Sequence, residues 1–329
     1  MKPELIDFVK EFKGKSILII GDMIADIYLH GDISRISREA PVLVLIESEE
    51  KTVPGGAANV VNNVATLGGK AYAVGILGED KPAVNLKNTL SNNEVNTAGM
   101  LCDDSRKTIT KTRVIAGGRA TVSQQVVRID RECNEPLSNK YEQELLSYIE
   151  KIMPKMQGVV LSDYGSGTIT PKIKEKILAL SKKYDIPSII DSRYAITDFV
   201  GTDYVKQNDA ELASAVGYAI DSEEKLYKAG REFLKLMKAK GILVTRGENG
   251  MTLFESNGAV YNIPVSDKSE VFDVSGAGDT CVATFITALA TGASPAQSAE
   301  ISNFASGIAV CKMGTATVSN EELIEVLKR

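Results

Sequence analysis

The sequence contains one histidine and no tryptophan, and the shortage of histidine narrows the chemistry that the protein can perform. A histidine-rich metal site is excluded, and any serine–histidine–aspartate scheme would have to use His30. His30 stands at the end of a predicted strand, where we interpret it as structural or adjacent to a substrate. We therefore expect carboxylates to be the main general acids and bases of this protein.

Other features that the sequence lacks exclude further classes of protein. The four cysteines are far apart and form no Cys-x-x-Cys pair, so they predict neither a zinc site nor a disulfide framework. No run of eighteen apolar residues is present, and the net charge is −5 without a basic block. We therefore expect neither a membrane nor a nucleic acid as the main partner. The first residues do not resemble a signal peptide, which predicts a cytoplasmic protein.

Short apolar runs alternate with amphipathic segments along most of the 329 residues. This alternation predicts an α/β fold, with a doubly wound, mostly parallel sheet flanked by helices in a single domain over 1–329. Ligands of such sheets bind at the carboxyl ends of the strands. The predicted strands are 16–20, 71–76, 158–162, 188–191, 204–207 and 242–245. The predicted helices are 57–67, 82–91, 140–152, 171–183, 223–238, 279–291 and 295–312.

Two segments break the alternation, at about 30–53 and 106–131. They are rich in Val, Ile, Thr and Arg, and no long helix separates their strands. We predict that they form antiparallel hairpins, which together make a small β-sheet lid that excludes water from the site. One face of such a sheet stays open, so a homodimer that forms through the lid sheet is expected.

Residues 273–280, Asp-Val-Ser-Gly-Ala-Gly-Asp-Thr, precede an apolar run that predicts a helix. The backbone amides of Gly276, Ala277 and Gly278 can turn toward one point at a helix N-terminus, which predicts an anion hole. Asp279 is then placed to take a proton from a hydroxyl while the hole holds a transferring phosphoryl group. The chemistry indicated is phosphorylation of an alcohol, although the stretch alone suits a helix cap equally well.

Several weaker motifs are compatible with this chemistry. Asp22 ends the first predicted strand, and Asn59 follows two glycines at the start of a helix, so both can contact sugar hydroxyls. Asn208 and Glu211 lie three residues apart on one helical face and could hold the hydration shell of Mg²⁺. Residues 245–250 form a tight loop suited to a nucleotide edge. Taken alone, each motif is equally typical of a cap or a turn. A Walker A sequence is absent, so ATP binding would depend on residues 276–279.

In their order and wide spacing, residues 55–59 (Gly-Gly-Ala-Ala-Asn), 208–211 (Asn-x-x-Glu) and 273–280 resemble the PfkB, or ribokinase-like, carbohydrate kinases. The resemblance covers the chain from Gly21 to about Thr317. It implies a Rossmann-like domain with a β-sheet lid, often dimeric, that uses ATP and Mg²⁺ and is frequently activated by K⁺. Within the family the chain is most similar to the D-glycero-β-D-manno-heptose 7-phosphate kinases. The similarity is carried by residues 34–37, 39–42, 54–59, 108–111, 124–125, 128, 130, 161–164, 314–315 and 317–319.

The resemblance also implies roles for individual residues. Asp279 would be the base that deprotonates the anomeric hydroxyl of the heptose, and the amides of Gly276, Ala277 and Gly278 would stabilise the phosphoryl group. The other implied contacts are Asp22, Gly55, Gly56, Asn59 and Asp163 for the sugar, Asn208 and Glu211 for Mg²⁺ and the ATP phosphates, Thr245, Gly247 and Gly250 for the nucleotide, and Asp273 and Ser275 for K⁺.

A phosphorylated acceptor needs cations at its far end. The lid offers Arg35, Lys111, Arg113 and Arg128, of which we expect no more than two to bind it, because surface charge explains each equally well. Arg38 stands in the lid where heptose kinases usually carry Pro. Another acceptor, such as fructose, a fructose phosphate or ribose, therefore stays open.

Two further expectations concern what the chain does not do. The nucleotidylyltransferase half of bifunctional members is not expected in this chain, so it should phosphorylate the sugar without making the nucleotide-sugar. A non-catalytic sugar or nucleotide sensor on the same fold is a remote alternative. Asp279 argues against it, since a sensor has no need of a base.

Overall fold

Residues 2–118, 121–133, 135–265 and 272–329 are described by the computed structural model, and they form thirteen strands and ten α-helices. The strands are β1 Ser16–Gly21, β2 Met23–Ile36, β3 Leu43–Gly56, β4 Lys70–Gly78, β5 Asn96–Asp103, β6 Thr110–Gly118, β7 Thr121–Arg131, β8 Gly158–Asp163, β9 Ser188–Ser192, β10 Tyr204–Asn208, β11 Gly241–Thr245, β12 Met251–Glu255 and β13 Val260–Ile263.

The helices follow the apolar periodicity of the sequence, and most begin at a side-chain cap or a proline. They are α1 Pro3–Lys10, α2 Ala57–Thr66, α3 Lys81–Asn92, α4 Asn139–Ile152, α5 Pro171–Tyr184, α6 Asp209–Val216, α7 Glu223–Met237, α8 Ala277–Ala290, α9 Pro295–Val310 and α10 Asn320–Lys328. None of the helices in the described ranges is long and apolar enough to cross a membrane.

A nine-stranded sheet runs through the centre in the order β13-β12-β11-β10-β9-β8-β1-β4-β5. Its strands are parallel from β11 to β5, whereas β12 and β13 are antiparallel at one edge. Alternate residues of β1 enter two separate hydrophobic cores, with Ile17 and Ile19 in one and Leu18 and Ile20 in the other. Because both faces of the sheet are covered by helices, its inner strands are apolar almost throughout. The predicted α/β fold is confirmed.

Each strand and helix expected from the sequence is present, with ends that differ by a few residues. The sequence patterns missed α1 and α10, which are short, and indicated α6 only through Asn208 and Glu211. They also missed β12 and the two edge strands of the sheet, β5 and β13. Edge strands carry shorter apolar runs because one side of the strand is unpaired, so their signal in the sequence is weaker.

The second sheet is the small lid, with strand order β3-β2-β6-β7. Both expected hairpins exist, as the antiparallel pairs β2–β3 and β6–β7, and a parallel pairing of β2 with β6 joins them. The lid begins directly after β1, because β2 starts at Met23 and β3 continues to Gly56. It is therefore longer than the segments 30–53 and 106–131 suggested. Residues 119–120, between β6 and β7, lie outside the described ranges.

Candidate active site

The N-terminus of α8 opens into a cleft of about 140 Å³ at the carboxyl ends of the parallel strands. Gly276 caps the helix with φ +80°, a conformation that favours glycine, and a Cβ there would lie 2.8 Å from Nδ2 of Asn59. Gly276 and Gly278 line the cleft. The first amides of an α-helix have no acceptor within the helix. An anion in this cleft would therefore meet N–H donors and the positive end of the helix dipole.

Asp279 lies in the first turn of α8 and is 7 % exposed. Asn59 donates a hydrogen bond to its Oδ2 at 2.7 Å, and the Tyr164 hydroxyl donates to its Oδ1 at 3.0 Å. Burial raises the pKa of Asp279 to about 6; Asp191 adds to the rise, while the two hydrogen bonds and Lys206 oppose it. At neutral pH the carboxylate is ionised, yet it is a better proton acceptor than an ordinary aspartate.

Asn59 is held in one orientation by its neighbours on α2 and α8. Asn63 donates to the backbone oxygen of Asn59 at 2.9 Å and to its Oδ1 at 3.2 Å, and Thr280 donates to Oδ1 of Asn63 at 2.9 Å. With Oδ1 of Asn59 accepting from Asn63, its amide nitrogen faces Asp279. The predicted sugar ligand Asn59 therefore contacts the predicted base directly.

Gly55 and Gly56, which precede α2, allow the end of β3 to lie close to residues 22–26. Gly56 has φ +53°, and a Cβ there would lie 2.8 Å from the backbone oxygen of Asp22. A Cβ on Gly55 would lie 2.7 Å from the carboxyl carbon of Asp26, a buried residue that the sequence analysis did not select. Larger residues at either position would force the end of β3 away from the start of β2, with which it pairs.

Asp22 lies behind the cleft, and its side chain is 0 % exposed. Its carboxylate accepts hydrogen bonds from the backbone amides of Tyr164 at 2.8 Å, Ser166 at 3.1 Å and Thr168 at 3.3 Å. In this arrangement Asp22 fixes the loop after β8. The loop in turn places the Tyr164 hydroxyl against Asp279.

Four residues that line the cleft were not predicted as site residues: Tyr164, Asp191, Arg193 and Lys206. Lys206 lies in β10 and its Nζ is 3.0 Å from a carboxylate oxygen of Asp191, which lies next to it on β9. Burial alone would lower the pKa of Lys206, but Asp191 and Glu211 more than compensate and hold it above its ordinary value. The only signal in the sequence is a lysine inside a buried strand.

Asp163 also lines the cleft. Its carboxylate accepts a hydrogen bond from the Ser192 hydroxyl at 2.6 Å, and burial raises its pKa. Its carboxylate oxygens can accept hydrogen bonds from sugar hydroxyls in the cleft.

A second cavity, of about 260 Å³, adjoins the cleft on the side of β11 and α9. It has a largely apolar wall and is lined by the predicted nucleotide residues Thr245, Gly247 and Gly250. Gly278 lines both this cavity and the cleft. A flat apolar base in the cavity could thus extend its phosphates to the first turn of α8.

Asn208 and Glu211 form a capping box at the start of α6. Oδ1 of Asn208 accepts from the Glu211 amide at 2.7 Å, and Oε2 of Glu211 accepts from the Asn208 amide at 2.8 Å. Glu211 also lines the cleft. Within the described ranges no cluster of three or more His, Cys, Asp or Glu could by itself hold a metal. Mg²⁺ needs only one or two carboxylates when waters and phosphates complete its shell, so these residues fit it.

Asp273 and Ser275 lie just before the helix. The carboxylate of Asp273 accepts from the amides of Ser275 at 2.8 Å and Gly314 at 3.0 Å. Burial acts to raise its pKa, but these hydrogen bonds lower it below the ordinary value. The hydroxyl of Thr315, next to Gly314, is buried and has no hydrogen-bond partner within the described ranges. An ionised carboxylate beside an unsatisfied oxygen fits a monovalent cation.

The four lid cations predicted from the sequence differ in their surroundings. Arg35 and Arg128 are exposed on the lid strands, and Arg128 pairs with Asp130 at 2.8 Å. Arg113 pairs with Asp26 at 3.1 Å. Lys111 alone of the four lines a cavity of about 330 Å³ that shares Tyr164 and Arg193 with the cleft.

Solved structures of carbohydrate kinases share this fold. Ribokinase from Arabidopsis thaliana, solved with ribose and ATP, superposes with a TM-score of 0.75 over 96% of this chain and 99% of its own, at 21% identity. Phosphofructokinase-2 from Escherichia coli, solved with potassium, gives 0.73 over 96% and 98%, at 19% identity. At such identities the likeness concerns the fold.

The sequence comparisons are more specific. The bifunctional protein HldE of Azorhizobium caulinodans is 41% identical over 95% of this chain, and that of Paramagnetospirillum magneticum is 35% identical over 99%. The chain spans 64% and 66% of the lengths of these two relatives, respectively. The profile of the pfkB family carbohydrate kinases matches residues 15–323. The chain therefore belongs to the pfkB family of carbohydrate kinases, and it is a phosphotransferase that acts on a sugar hydroxyl.

Proposed function

We propose that the protein transfers the γ-phosphoryl group of ATP to the C1 hydroxyl of D-glycero-β-D-manno-heptose 7-phosphate, giving the 1,7-bisphosphate. One observation carries the proposal: the buried carboxylate Asp279 lies in a cleft that adjoins two cavities, one suited to a nucleotide and one lined by the cations Lys111 and Arg193. The resemblance to heptose 7-phosphate kinases and the relatives named HldE support this choice of sugar.

In the proposed reaction, Asp279 accepts the proton of the C1 hydroxyl as that oxygen attacks the γ-phosphorus. The bond to the bridging oxygen breaks, and ADP leaves. The amides of Gly276, Ala277 and Gly278 would donate to the phosphoryl oxygens while charge develops on them, and the Ala277 amide would leave its hydrogen bond to the backbone oxygen of Val274 to do so. Bound Mg²⁺ would neutralise phosphate charge, with Glu211 holding its water shell and Asn208 positioning Glu211. Asp273 and Ser275 would hold K⁺.

The acceptor phosphate is assigned to Lys111 and Arg193. Neither side chain has an ion-pair partner within the described ranges, and both line the 330 Å³ cavity. Tyr164 connects this cavity with the base, because its hydroxyl contacts Asp279 and the ammonium of Lys111 lies 5.6 Å from its ring centroid. The reactive hydroxyl and the distal phosphate would thus be separated by about one tyrosine side chain. Asp163, which lines the cleft, is then left to contact ring hydroxyls, while Asn59 acts through its hydrogen bond to Asp279.

We also propose that the protein is a homodimer through the lid sheet. Large apolar side chains are exposed on one face of its strands, including Ile36 at 66%, Leu43 at 48% and Ile129 at 59%. Exposed apolar surface on this scale marks an interaction site. A dimer that pairs the two lids would bury this apolar surface next to the candidate active site.

The first prediction concerns pH. The acid limb of kcat/KM should lie near pH 6, where Asp279 takes up a proton and no longer acts as a base. Substrate phosphates also titrate near this pH, with a second pKa of about 6. The diagnostic result is therefore a comparison with Tyr164→Phe, which removes a hydrogen bond that lowers the pKa of Asp279. The acid limb of the pH profile of the variant should shift to higher pH. If the acid limbs of the variant and the wild type coincide, the titrating group belongs to the substrates.

The second prediction concerns the acceptor. ADP release should be measured with heptose 7-phosphate, unphosphorylated heptose, fructose, fructose phosphates and ribose. We expect kcat/KM to be at least ~100-fold higher for heptose 7-phosphate than for heptose, because two charge-assisted contacts contribute about 1.5–3 kcal/mol each. A best rate on a neutral sugar or on a fructose phosphate would contradict the heptose assignment, and no turnover at all would revive the sensor.

Matched variants locate the acceptor phosphate. Lys111→Ala and Arg193→Ala should each lower kcat/KM for heptose 7-phosphate by about 10–100-fold and change the value for heptose little. Arg35→Ala, in the exposed part of the lid, should stay within about twofold of wild type on both sugars. An equal loss on both acceptors would contradict this assignment.

The third prediction concerns assembly. The double variant Ile36→Glu/Leu43→Glu, at two paired positions on one face of the lid sheet, should sediment as a monomer where the wild type sediments as a dimer, because four buried carboxylates would face each other in the interface. Leu236→Glu on α7, a similarly exposed position away from the lid, is the control and should remain a dimer. A monomeric wild type at micromolar concentration would contradict the proposal.

A further inference from the structure

Lys206 lies inside the main sheet, where a charge is unusual. Its neighbours in β10, Val205 and Gln207, are buried, and Lys206 itself is 6% exposed. Taking an ammonium group out of water costs several kcal/mol unless it is paired and hydrogen-bonded. A lysine is therefore expected in such a place only where a specific interaction requires it.

The ammonium group lies directly against the anion hole. A Cβ built on Gly278 would lie 2.8 Å from Nζ of Lys206. Lys206, Gly276, Gly278 and Asp279 line the same cleft. The lysine thus approaches the point at which the cleft and the nucleotide cavity meet.

Lys206 also keeps hydrogen-bonding capacity. Its Nζ donates to Oδ2 of Asp191 at 3.0 Å, the one hydrogen bond that the side chain makes within the described ranges. An ammonium group has three donors. Asp191 therefore holds Nζ in place and leaves two N–H groups for a ligand in the cleft.

We propose that Lys206 is a catalytic residue whose ammonium group contacts the phosphoryl oxygens during transfer and completes the anion hole formed by the amides of α8. A fixed positive charge in a site of low dielectric stabilises the charge that spreads over these oxygens in the transition state. Asp191 is the positioning residue. The inference requires only the kinase reaction and does not depend on which sugar accepts the phosphoryl group.

A structural role makes different predictions. Lys206 and Asp191 are direct neighbours on the parallel strands β10 and β9, so the pair could simply join two strands. Removing one partner would then be harmful because it leaves a buried charge, and removing both would be tolerated. If Lys206 is catalytic, the activity lost on its substitution is not restored when Asp191 is also replaced.

The test uses Lys206→Met, Asp191→Asn and the double variant, with the sugar that gives the best wild-type turnover. We expect Lys206→Met to lower kcat at least ~100-fold, which is a typical loss for one donor of an oxyanion hole. Asp191→Asn should stay within about tenfold of wild type. The double variant should be as slow as Lys206→Met, even if its melting temperature recovers.

A binding measurement adds a readout that a structural role would not change. Calorimetry should show Mg·ADP binding to Lys206→Met within about threefold of wild type, because ADP lacks the group that Lys206 contacts. The tightening produced by aluminium fluoride with ADP and acceptor, which mimics the transferring group, should be lost. If Lys206→Met does not fold, the double variant is used for both measurements. Recovery of kcat to within a few-fold in the double variant, or an equal loss of ADP binding, would overturn the proposal.

Discussion

The hydrogen bond between Asn59 and Asp279 joins two parts of the chain that are 220 residues apart, at 2.7 Å. It brings the N-termini of α2 and α8 together at one edge of the sheet, and α2 is also the element into which the lid strand β3 runs. The bond thus fixes the base relative to both the anion hole and the lid. Because both partners are buried, loss of one would leave an unsatisfied polar group and cost about 1–3 kcal/mol.

The surroundings of Asp279 show how burial and pairing set the chemistry of one carboxylate. Burial makes it more basic, while Asn59, Tyr164 and Lys206 keep it ionised at neutral pH. Asp22 contributes at a distance, since its three backbone hydrogen bonds hold the loop that carries Tyr164. Gly278 lines both the cleft and the nucleotide cavity, and in the proposed reaction it has no side chain there to obstruct transfer.

Much of this arrangement could be predicted from the sequence, because the carboxyl ends of parallel strands converge on one edge of a sheet. Glycine-rich turns and short polar motifs after apolar strands indicated residues 276–279, 208–211 and 245–250 as neighbours, and the structure places them around adjoining cavities. The fold followed from the alternation of apolar runs and amphipathic segments.

The contacts of Lys206, the lid cations and Asp22 could not be predicted. They depend on strand register and side-chain direction, which a sequence pattern does not reveal. Lys206 and Asp191 pair because β9 and β10 align these two positions. Arg35, Arg128 and Lys111 belong to the same lid, yet only Lys111 lines the cavity beside the cleft. Asp22 is predicted as a sugar ligand because it follows a strand, and the pattern did not reveal that its carboxylate also accepts three backbone hydrogen bonds from the loop after β8.

The central claim, that Asp279 is the base at this junction, is tested most directly by Asp279→Asn. The substitution keeps the shape of the side chain and removes its capacity to accept a proton. Turnover and binding of ATP and acceptor should be measured on the same preparation. We expect both substrates to bind within a few-fold of wild type while kcat falls by at least ~10²-fold, the low end of general-base contributions. Turnover within about tenfold of wild type would show that the proton is taken by another group, and the account would fail.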